Sequence, residues 1–263
     1  MNHVTHYYFS KAKATQALKN VSFSVEEGEF VSILGPSGCG KSTLLSLLAN
    51  IIHPTEGKIS LNDQPISTLD DSIGYMLQQD YLFPWKTIMD NVLLGPKIKK
   101  TIQSSTNEKA DKMLKEVGLH KITKSYPNAL SGGMRQRVAL VRTLITDPEI
   151  LLLDEPFSAL DYVTKLTLED AVADLLATYK KTTVLVTHDI GEAISMSDRI
   201  IIMDTNPGSI KRMYDVPLEL RNERPFNVRR HPKYQRIFDK VWNELNTKST
   251  IPTSREIAGD QLG

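Results

Sequence analysis

The fold of this chain is decided by one stretch, Gly35-Pro36-Ser37-Gly38-Cys39-Gly40-Lys41-Ser42-Thr43. It matches the pattern G-x-x-x-x-G-K-[ST], in which a glycine-rich turn, a lysine and a hydroxyl bind a phosphate chain. Three glycines let the backbone curl so that successive N–H groups face one anion. Lys41 supplies a mobile positive charge for the β- and γ-phosphates, and the Ser42 hydroxyl suits Mg²⁺. This phosphate loop, residues 35–43, therefore predicts a nucleotide site.

The segments on either side of the phosphate loop support this prediction. Residues 29–34 form an apolar run that predicts a buried strand, and the Leu-rich residues 41–50 predict a helix. The phosphates would then meet a helix N-terminus, where free N–H groups and the helix dipole favour negative charge. The same position is expected to lower the pKa of the Cys39 thiol, so that its alkylation blocks the nucleotide.

Composition limits the classes of protein that this chain can belong to. Its 263 residues, 40% of them hydrophobic, suit one large α/β domain with an insertion or two small domains. The formal net charge of +1 provides no basic field for nucleic acid or an anionic membrane. The single cysteine rules out a disulfide within the chain and indicates a reducing compartment. Because no apolar run approaches the ~20 residues that span a bilayer, we expect a soluble chain that reaches a membrane only through a partner.

Hydrophobic patterns along the chain predict an α/β fold. Strict alternation at residues 21–25 and a short segment at 58–61 predict strands, so an antiparallel sheet is expected beside a parallel one. Further strands, expected in the parallel sheet, are predicted at 150–153, 183–187 and 200–203. Helices are predicted at 108–117, 134–146, 162–179 and 234–245.

The same patterns suggest how one domain is organised. We interpret residues 1–79 and 147–205 as a nucleotide-binding core with a β subdomain. Residues 80–146, where β-branched runs become rare and helical patterns dominate, are interpreted as an inserted helical subdomain. Residues 206–263 are interpreted as a polar C-terminal tail that carries one helix and has a frayed end.

Two acidic side chains, Asp154 and Glu155, follow the predicted strand at 150–153. Ligands of open α/β sheets bind at the carboxyl ends of the strands, which places this pair beside the phosphate loop. Asp154 is expected to hold Mg²⁺ through its water shell, and Glu155 is expected to polarise an attacking water. The alternative interpretation is a surface turn with two solvated acids.

Weaker candidates remain ambiguous by residue type alone. Ser131-Gly132-Gly133 is either a second anion site before a helix or an ordinary helix cap. His188, after the predicted strand at 183–187, either touches the γ-phosphate or is structural. Gln78 either bridges a metal and a water or lies in a loop, and Tyr8 is one of several N-terminal aromatic residues.

Taken together, these pieces resemble the ATP-binding subunits of ABC transporters. The phosphate loop resembles the Walker A motif of the family, and residues 150–155 resemble its Walker B motif with the catalytic glutamate. The signature segment, Leu130-Ser131-Gly132-Gly133-Met134-Arg135-Gln136-Arg137, is similar to LSGGQ-x-QR. Its Met134 replaces the usual glutamine, a variant that occurs in importer subunits.

Four further motifs follow the order of the family. Residues 158–161, which end in Asp161, resemble the D-loop, and Thr187-His188-Asp189 resembles the segment of the switch histidine. Gln78 is similar to the Q-loop glutamine. Tyr8 best matches the aromatic residue that stacks on adenine, although Tyr7 and Phe9 compete for that role.

The resemblance implies a P-loop NTPase core with a mixed sheet, an antiparallel β subdomain and an inserted helical subdomain. It also implies a head-to-tail homodimer in which ATP and Mg²⁺ lie between the phosphate loop of one subunit and Ser131, Gly132, Gly133 and Asp161 of the other. The residues that it implies for hydrolysis are Glu155, Lys41, His188 and Gln78. Those that it implies for Mg²⁺ are Ser42, Gln78 and Asp154.

Partners follow from the same resemblance. Residues 78–85 would contact integral-membrane permease subunits, with Phe83 and Trp85 as exposed anchors unless they are core residues. Residues 81–85, 224–226 and 241–245 resemble the nitrate/sulfonate/taurine importer group. The chain would then be peripheral at the cytoplasmic face of the cell membrane, linked indirectly to a periplasmic or extracellular solute-binding protein, with no nucleic acid partner. The alternative function is a soluble ABC ATPase that is not coupled to transport.

Overall fold

A six-stranded sheet forms the centre of the computed structural model, which describes residues 1–11, 13–66, 72–158 and 160–247. The strands are β1 (Asn2–Phe9), β2 (Ala14–Val21), β3 (Phe30–Leu34), β4 (Glu56–Lys58), β5 (Ser60–Leu61), β6 (Gln64–Pro65), β7 (Ile73–Met76), β8 (Ile150–Asp154), β9 (Thr182–Thr187), β10 (Arg199–Asp204) and β11 (Ser209–Asp215). The helices are α1 (Lys41–Leu48), α2 (Ile88–Val92), α3 (Leu94–Ile98), α4 (Ser104–Glu116), α5 (Gly132–Leu144), α6 (Tyr162–Tyr179), α7 (Ile190–Met196), α8 (Leu218–Arg221), α9 (Pro225–Val228) and α10 (Tyr234–Asn246).

The central sheet has the strand order β11-β10-β3-β9-β8-β7. Its members are parallel except β11, which pairs antiparallel with β10. The strands β3 and β8 are mostly apolar, β9 has threonines on both sides of a central Val-Leu-Val run, and nearly all of their residues are buried, as expected of parallel strands covered on both faces. Because Leu34 pairs with Thr187 and Asp154 pairs with Val186, these three strands end at the same edge of the sheet. That edge carries the candidate site.

A second sheet, with the order β2-β1-β4, is antiparallel, and β5 and β6 form a short hairpin. Val4 and Leu18 of this sheet share one hydrophobic cluster with Ile33 of β3 and Leu44 of α1. The predicted fold class, a mixed sheet with an antiparallel sheet beside it and helices around it, is confirmed by this arrangement.

The helices α2 to α5 lie between β7 and β8 in the chain, and they share a hydrophobic core with the central sheet. Ile88 and Leu140 belong to the same cluster as Leu153 of β8 and Leu168 of α6. The interpretation of residues 80–146 as a distinct subdomain, like the other proposed boundaries, stays a prediction. One hydrophobic cluster joins this segment to the central sheet and to α6.

Three predicted elements differ from the observed ones by more than two residues at an end. The strand expected at 21–25 does not form, because β2 ends at Val21, which pairs with Val4 near the start of β1. Beyond this pair, Phe23 N donates a hydrogen bond to the carbonyl oxygen of Met1, the first residue of the chain. The segment at 58–61 is divided between β4, which pairs with β1, and β5, which pairs with β6. The helix expected from 108 begins at Ser104, since Gln103 and Thr106 form a capping box there.

The residues after β10 form more than a polar tail. Strand β11 extends the central sheet, and α9 and α10 pack against α7, with Val228 and Val241 in a third hydrophobic cluster. The predicted frayed end, residues 248–263, lies outside the described residues. In the part of the chain that the structure describes, no helix is both long and apolar enough to cross a bilayer.

Candidate active site

The phosphate loop connects β3 to α1 and owes its shape to two glycines in left-handed conformations. Gly38 has a φ of 80° and Gly40 a φ of 92°, values that residues with a Cβ atom rarely adopt. A Cβ atom on Gly40 would also lie 2.7 Å from Leu18 Cδ2. Gly40 precedes the first residue of α1 and has no side chain to cap it. The first N–H groups of α1 are therefore oriented for an anion.

Lys41 places its positive charge inside this loop. Its Nζ donates hydrogen bonds to the carbonyl oxygens of Gly35, at 2.7 Å, and Pro36, at 3.0 Å, and the residue is only 7% exposed. The ammonium group is thus held by backbone oxygens rather than free to move as the sequence suggested. Carbonyl groups carry no net charge, so this arrangement fixes the position of the cation without cancelling it.

Cys39 contradicts the prediction of a reactive thiol. Its side chain is fully buried, next to Gly35 and close to Met203. Burial raises the pKa of the Cys39 thiol and outweighs the opposing effect of the nearby Lys41 charge. The expectation of a lowered pKa is therefore wrong, because tertiary packing covers a position that the local helix terminus alone would have activated.

Asp154 and Glu155 follow at the end of β8, as the sequence predicted. Asp154 Oδ2 accepts a hydrogen bond of 3.3 Å from the Tyr75 hydroxyl. Burial raises the pKa of Asp154, while hydrogen bonds from Tyr75 and Ser42 favour its ionised form. Glu155 has a φ of 44°, a left-handed conformation that is uncommon for this residue type. Its N–H donates a hydrogen bond to the Val186 carbonyl oxygen of the neighbouring strand β9. Such strained backbone is typical of functional positions.

The donor set around Asp154 fits Mg²⁺. The Ser42 side chain lies near enough to the Asp154 carboxylate to favour its ionised form, so two potential oxygen ligands lie together at the start of α1. Within the described residues, no group of three or more His, Cys, Asp or Glu side chains forms a metal cage. Mg²⁺ prefers few protein oxygens, with waters and substrate phosphates completing its shell. Gln78, the third predicted ligand, contacts other groups, and its metal role stays a prediction.

Glu155 is contacted by two of the other predicted catalytic residues. His188 Nδ1 lies 3.1 Å from Glu155 Oε2, and Gln78 Nε2 lies 3.4 Å from the same oxygen. Gln78 Nε2 also lies 3.3 Å from Ser158 Oγ. Three strand ends, β7, β8 and β9, therefore bring Gln78, Glu155 and His188 to one point.

An open cleft of about 500 Å³ lies over the phosphate loop. The predicted residues that line it are Ser37, Gly38, Gly40, Lys41, Ser42, Thr43, Glu155 and His188. The lining residues that sequence reasoning missed are Thr15, Gln16, Ala17, Asn206, Pro207 and Gly208. The Asn-Pro-Gly turn carries a recognisable turn signal. Residues 15–17 carry none, because only the pairing of β1 with β2 brings them to the loop.

Tyr8 is the N-terminal aromatic residue that reaches the phosphate loop. Its hydroxyl lies 3.3 Å from Thr43 Oγ1, and its ring meets the ring of His6 edge-on at 4.7 Å between centroids. Tyr7 and Phe9 stack on each other, with centroids 6.2 Å apart, on the opposite face of β1. This contact favours Tyr8 over its neighbours, and its contact with adenine stays a prediction.

Ser131 begins α5 as a helix cap. Its Oγ accepts a hydrogen bond of 3.4 Å from Met134 N, and a Cβ atom on Gly133 would lie 2.5 Å from Thr164 Cγ2. Asp161 caps the neighbouring α6 through a bond of 3.1 Å from Thr164 N. Ala159, within the predicted D-loop, lies outside the described residues. In the described part of the chain, neither Ser131 nor Asp161 lines the cleft of its own subunit.

The residues around Gln78 are bound to α5. Gln136 Nε2 donates a hydrogen bond of 2.9 Å to the Gln78 carbonyl oxygen, and Arg135 Nε pairs with Asp80 Oδ2 at 2.9 Å. Arg142 Nη1 donates a bond of 2.8 Å to the Tyr81 carbonyl oxygen. Sequence reasoning did not single out these contacts, which tie the segment after β7 to the helix of the signature segment.

Comparisons with known proteins identify the family of the chain. The family profile described as ABC transporter matches residues 18–158. The uncharacterized ABC transporter ATP-binding protein YtlC of Bacillus subtilis is 52% identical over 247 residues, which are 94% of this chain and 95% of that protein. The aliphatic sulfonates import ATP-binding protein SsuB of Bacillus licheniformis is 41% identical over 238 residues, 90% of each chain.

Solved structures agree with these relatives. The dimeric structure of MJ0796, a bacterial ABC transporter cassette, is similar with a TM-score of 0.72 and 36% sequence identity. The match covers 82% of this chain and 97% of that chain. A post-hydrolysis state of the same cassette, bound to ADP and Pi, gives the same values. The chain therefore belongs to the ABC transporter family, as one of its ATPase subunits.

Proposed function

We propose that this chain powers an ABC importer for a small solute, such as nitrate, a sulfonate or taurine, as a head-to-tail homodimer at the cytoplasmic face of the cell membrane. The observation that carries this proposal is the position of Gln78. Its side chain contacts Glu155, and its backbone is bound to α5 by Gln136. A change at the hydrolytic site can thus be transmitted directly to the helices that follow β7.

The hydrolytic step uses groups that already converge on one edge of the sheet. The amide groups of the phosphate loop and the Lys41 ammonium bind the β- and γ-phosphates of ATP. Ser42 and Asp154 would hold Mg²⁺, which supplies positive charge to the phosphate oxygens. Glu155 orients the attacking water and accepts its proton, while His188, whose Nδ1 lies 3.1 Å from Glu155 Oε2, is assigned to stabilise the charge of the transferred phosphoryl group.

The second half of each nucleotide site comes from the partner subunit. Ser131, Gly132 and Gly133 lie at the N-terminus of α5, next to Asp161 at the start of α6. The α5 end suits an anion and Asp161 lies beside it at the α6 end, yet neither helix end lines the cleft of its own subunit in the described structure. A two-fold dimer in which each signature segment covers the other phosphate loop uses both, and it satisfies the self-complementarity that such symmetry requires.

The contact with the permease is assigned to the loop that carries Trp85. This side chain is 70% exposed, and its ring packs against the half-buried Phe83 at 5.2 Å between centroids. The buried Asn91 fixes the loop, because its Oδ1 accepts a bond of 2.7 Å from Phe83 N and its Nδ2 donates one of 2.9 Å to Thr87 O. An exposed aromatic ring on a rigid loop is well suited to an interface.

The importer group and its solute rest on similarity. The relative named aliphatic sulfonates import ATP-binding protein SsuB matches 90% of this chain, which makes a sulfonate the first solute to test. No residue described here is expected to touch the solute, because the permease and a solute-binding protein would handle it.

Photo-crosslinking from the two tryptophans tests the partner. Trp85 and Trp242 are the two tryptophans of the chain, and both are exposed, at 70% and 52%. We would replace each in turn by a photoreactive phenylalanine derivative and irradiate cells that express the variant. Crosslinks to an integral-membrane protein are expected from position 85 and not from position 242. Crosslinks from position 85 to ribosomes or DNA would instead support the soluble ATPase and contradict the importer.

A further inference from the structure

A buried ion pair joins α6 to the C-terminal segment, by which we mean the described residues after β11, 216–247. The Glu169 side chain is fully buried, and Arg229 of the C-terminal segment contacts both of its oxygens, at 2.5 Å from Nη1 and 3.0 Å from Nη2. Two parallel bonds of this kind fix geometry as well as charge. The nucleotide chemistry described above uses neither residue.

One turn earlier on α6, Lys165 holds the start of α7. Its Nζ lies 2.6 Å from Asp189 Oδ2 and 2.5 Å from Glu192 Oε1. Asp189 caps α7 by accepting a bond of 3.1 Å from Glu192 N. Thr187 Oγ1 accepts a bond of 3.0 Å from Asp189 N and donates one to Glu192 Oε2. His188 is therefore held between two residues that belong to this network.

The charges of the network depend on Arg229. Two cations, Lys165 and Arg229, face three carboxylates, those of Glu169, Asp189 and Glu192. Burial raises the pKa of both glutamates, so further unpaired negative charge is unfavourable there. Glu169 lies four residues after Lys165, the spacing at which side chains on a helix meet. Without Arg229, Glu169 would compete with Asp189 and Glu192 for the single ammonium group.

The C-terminal segment also approaches the backbone at the start of α7. A Cβ atom on Gly191 would lie 3.0 Å from Asp189 Oδ1, 3.2 Å from the Tyr234 hydroxyl and 3.4 Å from Arg229 Nε. Glycine thus allows the guanidinium and the phenol to pack close to the first turn of α7. The contact is close enough for the C-terminal segment to determine where this turn lies.

We propose that Arg229 is a positioning residue for ATP hydrolysis: it neutralises Glu169, leaves Lys165 to Asp189 and Glu192, and so fixes His188 toward Glu155. The inference rests on the proposed role of His188. It assigns a catalytic purpose to the residues after β11, which lie outside the predicted nucleotide core.

The Arg229→Met variant tests this inference, with Arg224→Gln as its matched control. Arg224 lies in the same segment and pairs with Asp174 at 2.9 Å, but this pair is exposed. Arg229→Met should lower kcat about 10- to 100-fold, the range expected when a catalytic group is displaced, with the affinity for ATP unchanged. Arg224→Gln should keep the parent kcat. Arg229→Lys, which keeps the charge but not the two parallel bonds, should recover part of the loss.

Two double variants separate positioning from folding. Arg229→Met with Glu169→Leu removes the competing carboxylate and should restore kcat, because apolar replacement of a whole buried pair is often tolerated. In a His188→Ala background, Arg229→Met should cause no further loss. If Arg229→Met lowers only the fraction of folded protein, or keeps the parent kcat while His188→Ala is slow, the inference is wrong. A parent kcat in His188→Ala would overturn the proposed role of His188 as well.

Discussion

Two helix N-termini in this molecule look alike in sequence, since glycines lie just before α1 and in the first turn of α5, yet their cations differ. At α1, the Lys41 ammonium is bonded to uncharged carbonyl oxygens. At α5, the Arg135 guanidinium is paired with the carboxylate of Asp80 and bonded to the Leu130 carbonyl oxygen. The first cation keeps its charge for a ligand, and much of the second charge is cancelled.

The surroundings of the two helix N-termini also leave α1 more accessible to a phosphate than α5. The loop before α1 lies in a cleft with Glu155 and His188, whereas Ser131 covers one N–H group of α5 with its own side chain. A helix N-terminus alone therefore does not define a binding site. This difference supports the proposal that the α1 end binds the phosphates of its own subunit and that the α5 end contacts a phosphate held by the other subunit of a dimer.

The largest effect is expected from Glu155→Gln, which leaves the α1 site intact and removes its proposed base. The amide keeps the shape of the side chain but accepts no proton, so kcat should fall about 10²–10⁴-fold, while ATP binding persists. Phosphate release and equilibrium ATP binding measure the two effects, and size-exclusion chromatography with ATP should show a trapped dimer. Hydrolysis at the parent rate would show that Glu155 is not the base.

Lys41→Met should weaken nucleotide binding directly. The methionine side chain fills the buried channel of the lysine stem but cannot donate to a phosphate, so the affinity for ATP should fall about 10- to 100-fold. Titration with a fluorescent nucleotide measures the loss, and thermal unfolding without nucleotide controls for stability. An unchanged affinity would show that the Lys41 ammonium does not bind the nucleotide, and the α1 end would then not differ from the α5 end in offering a charge to a ligand.

Ser131→Ala should have a smaller effect that appears only in the dimer. ATP binding to the monomer should match that of the parent, while kcat falls about tenfold for the loss of one hydrogen bond to a charged group. Loss of affinity in the monomer would place Ser131 at the nucleotide of its own subunit.

Mixed dimers sharpen this prediction. Each proposed site consists of the phosphate loop of one subunit and the signature segment of the other. In a dimer with Lys41→Met in one subunit and Ser131→Ala in the other, both changes fall in the same site. The second site stays intact, so the dimer should retain about half of the parent activity. A dimer with both changes in one subunit and none in the other has no intact site and should be much slower. Equal rates for the two arrangements would contradict sharing of the nucleotide between subunits.

The smallest effect concerns Cys39, which tests whether the α1 end activates a thiol. Only the thiolate is alkylated, and burial raises the pKa of this thiol above its ordinary value of 9.0. At pH 8 alkylation should be slower than for an exposed cysteine, and its rate should keep rising as the pH passes 9. Mass spectrometry after timed alkylation measures this. Rapid labelling at pH 7 would mean that the helix terminus outweighs burial.

Local signals in the sequence predicted the elements whose limits are set locally. The helix α6 spans Tyr162–Tyr179 as predicted, because Asp161 caps its start and a left-handed residue, Lys180, ends it. The strands β8 and β9 followed from short apolar runs. The phosphate loop, Asp154, Glu155 and His188 were found for the same reason, since each follows a recognisable strand.

Features that depend on distant parts of the chain could not be predicted. Gly208 lines the cleft because its N–H bonds to Ala17 across two sheets, a contact that no local pattern encodes. The buried state of Cys39 depends on the hydrophobic cluster that it shares with Met203 of β10, and the pair of Glu169 with Arg229 joins residues 60 positions apart. In each case the deciding partner is brought close only by the completed fold.

The left-handed backbone at Glu155 has a consequence for how this protein can change. Asparagine and glycine adopt that conformation more readily than glutamate, so either would relieve strain at the end of β8. Both would also remove the carboxylate that we propose as the base for hydrolysis. Selection for heat resistance alone would therefore favour inactive molecules at this position, and only selection for turnover retains the less stable residue.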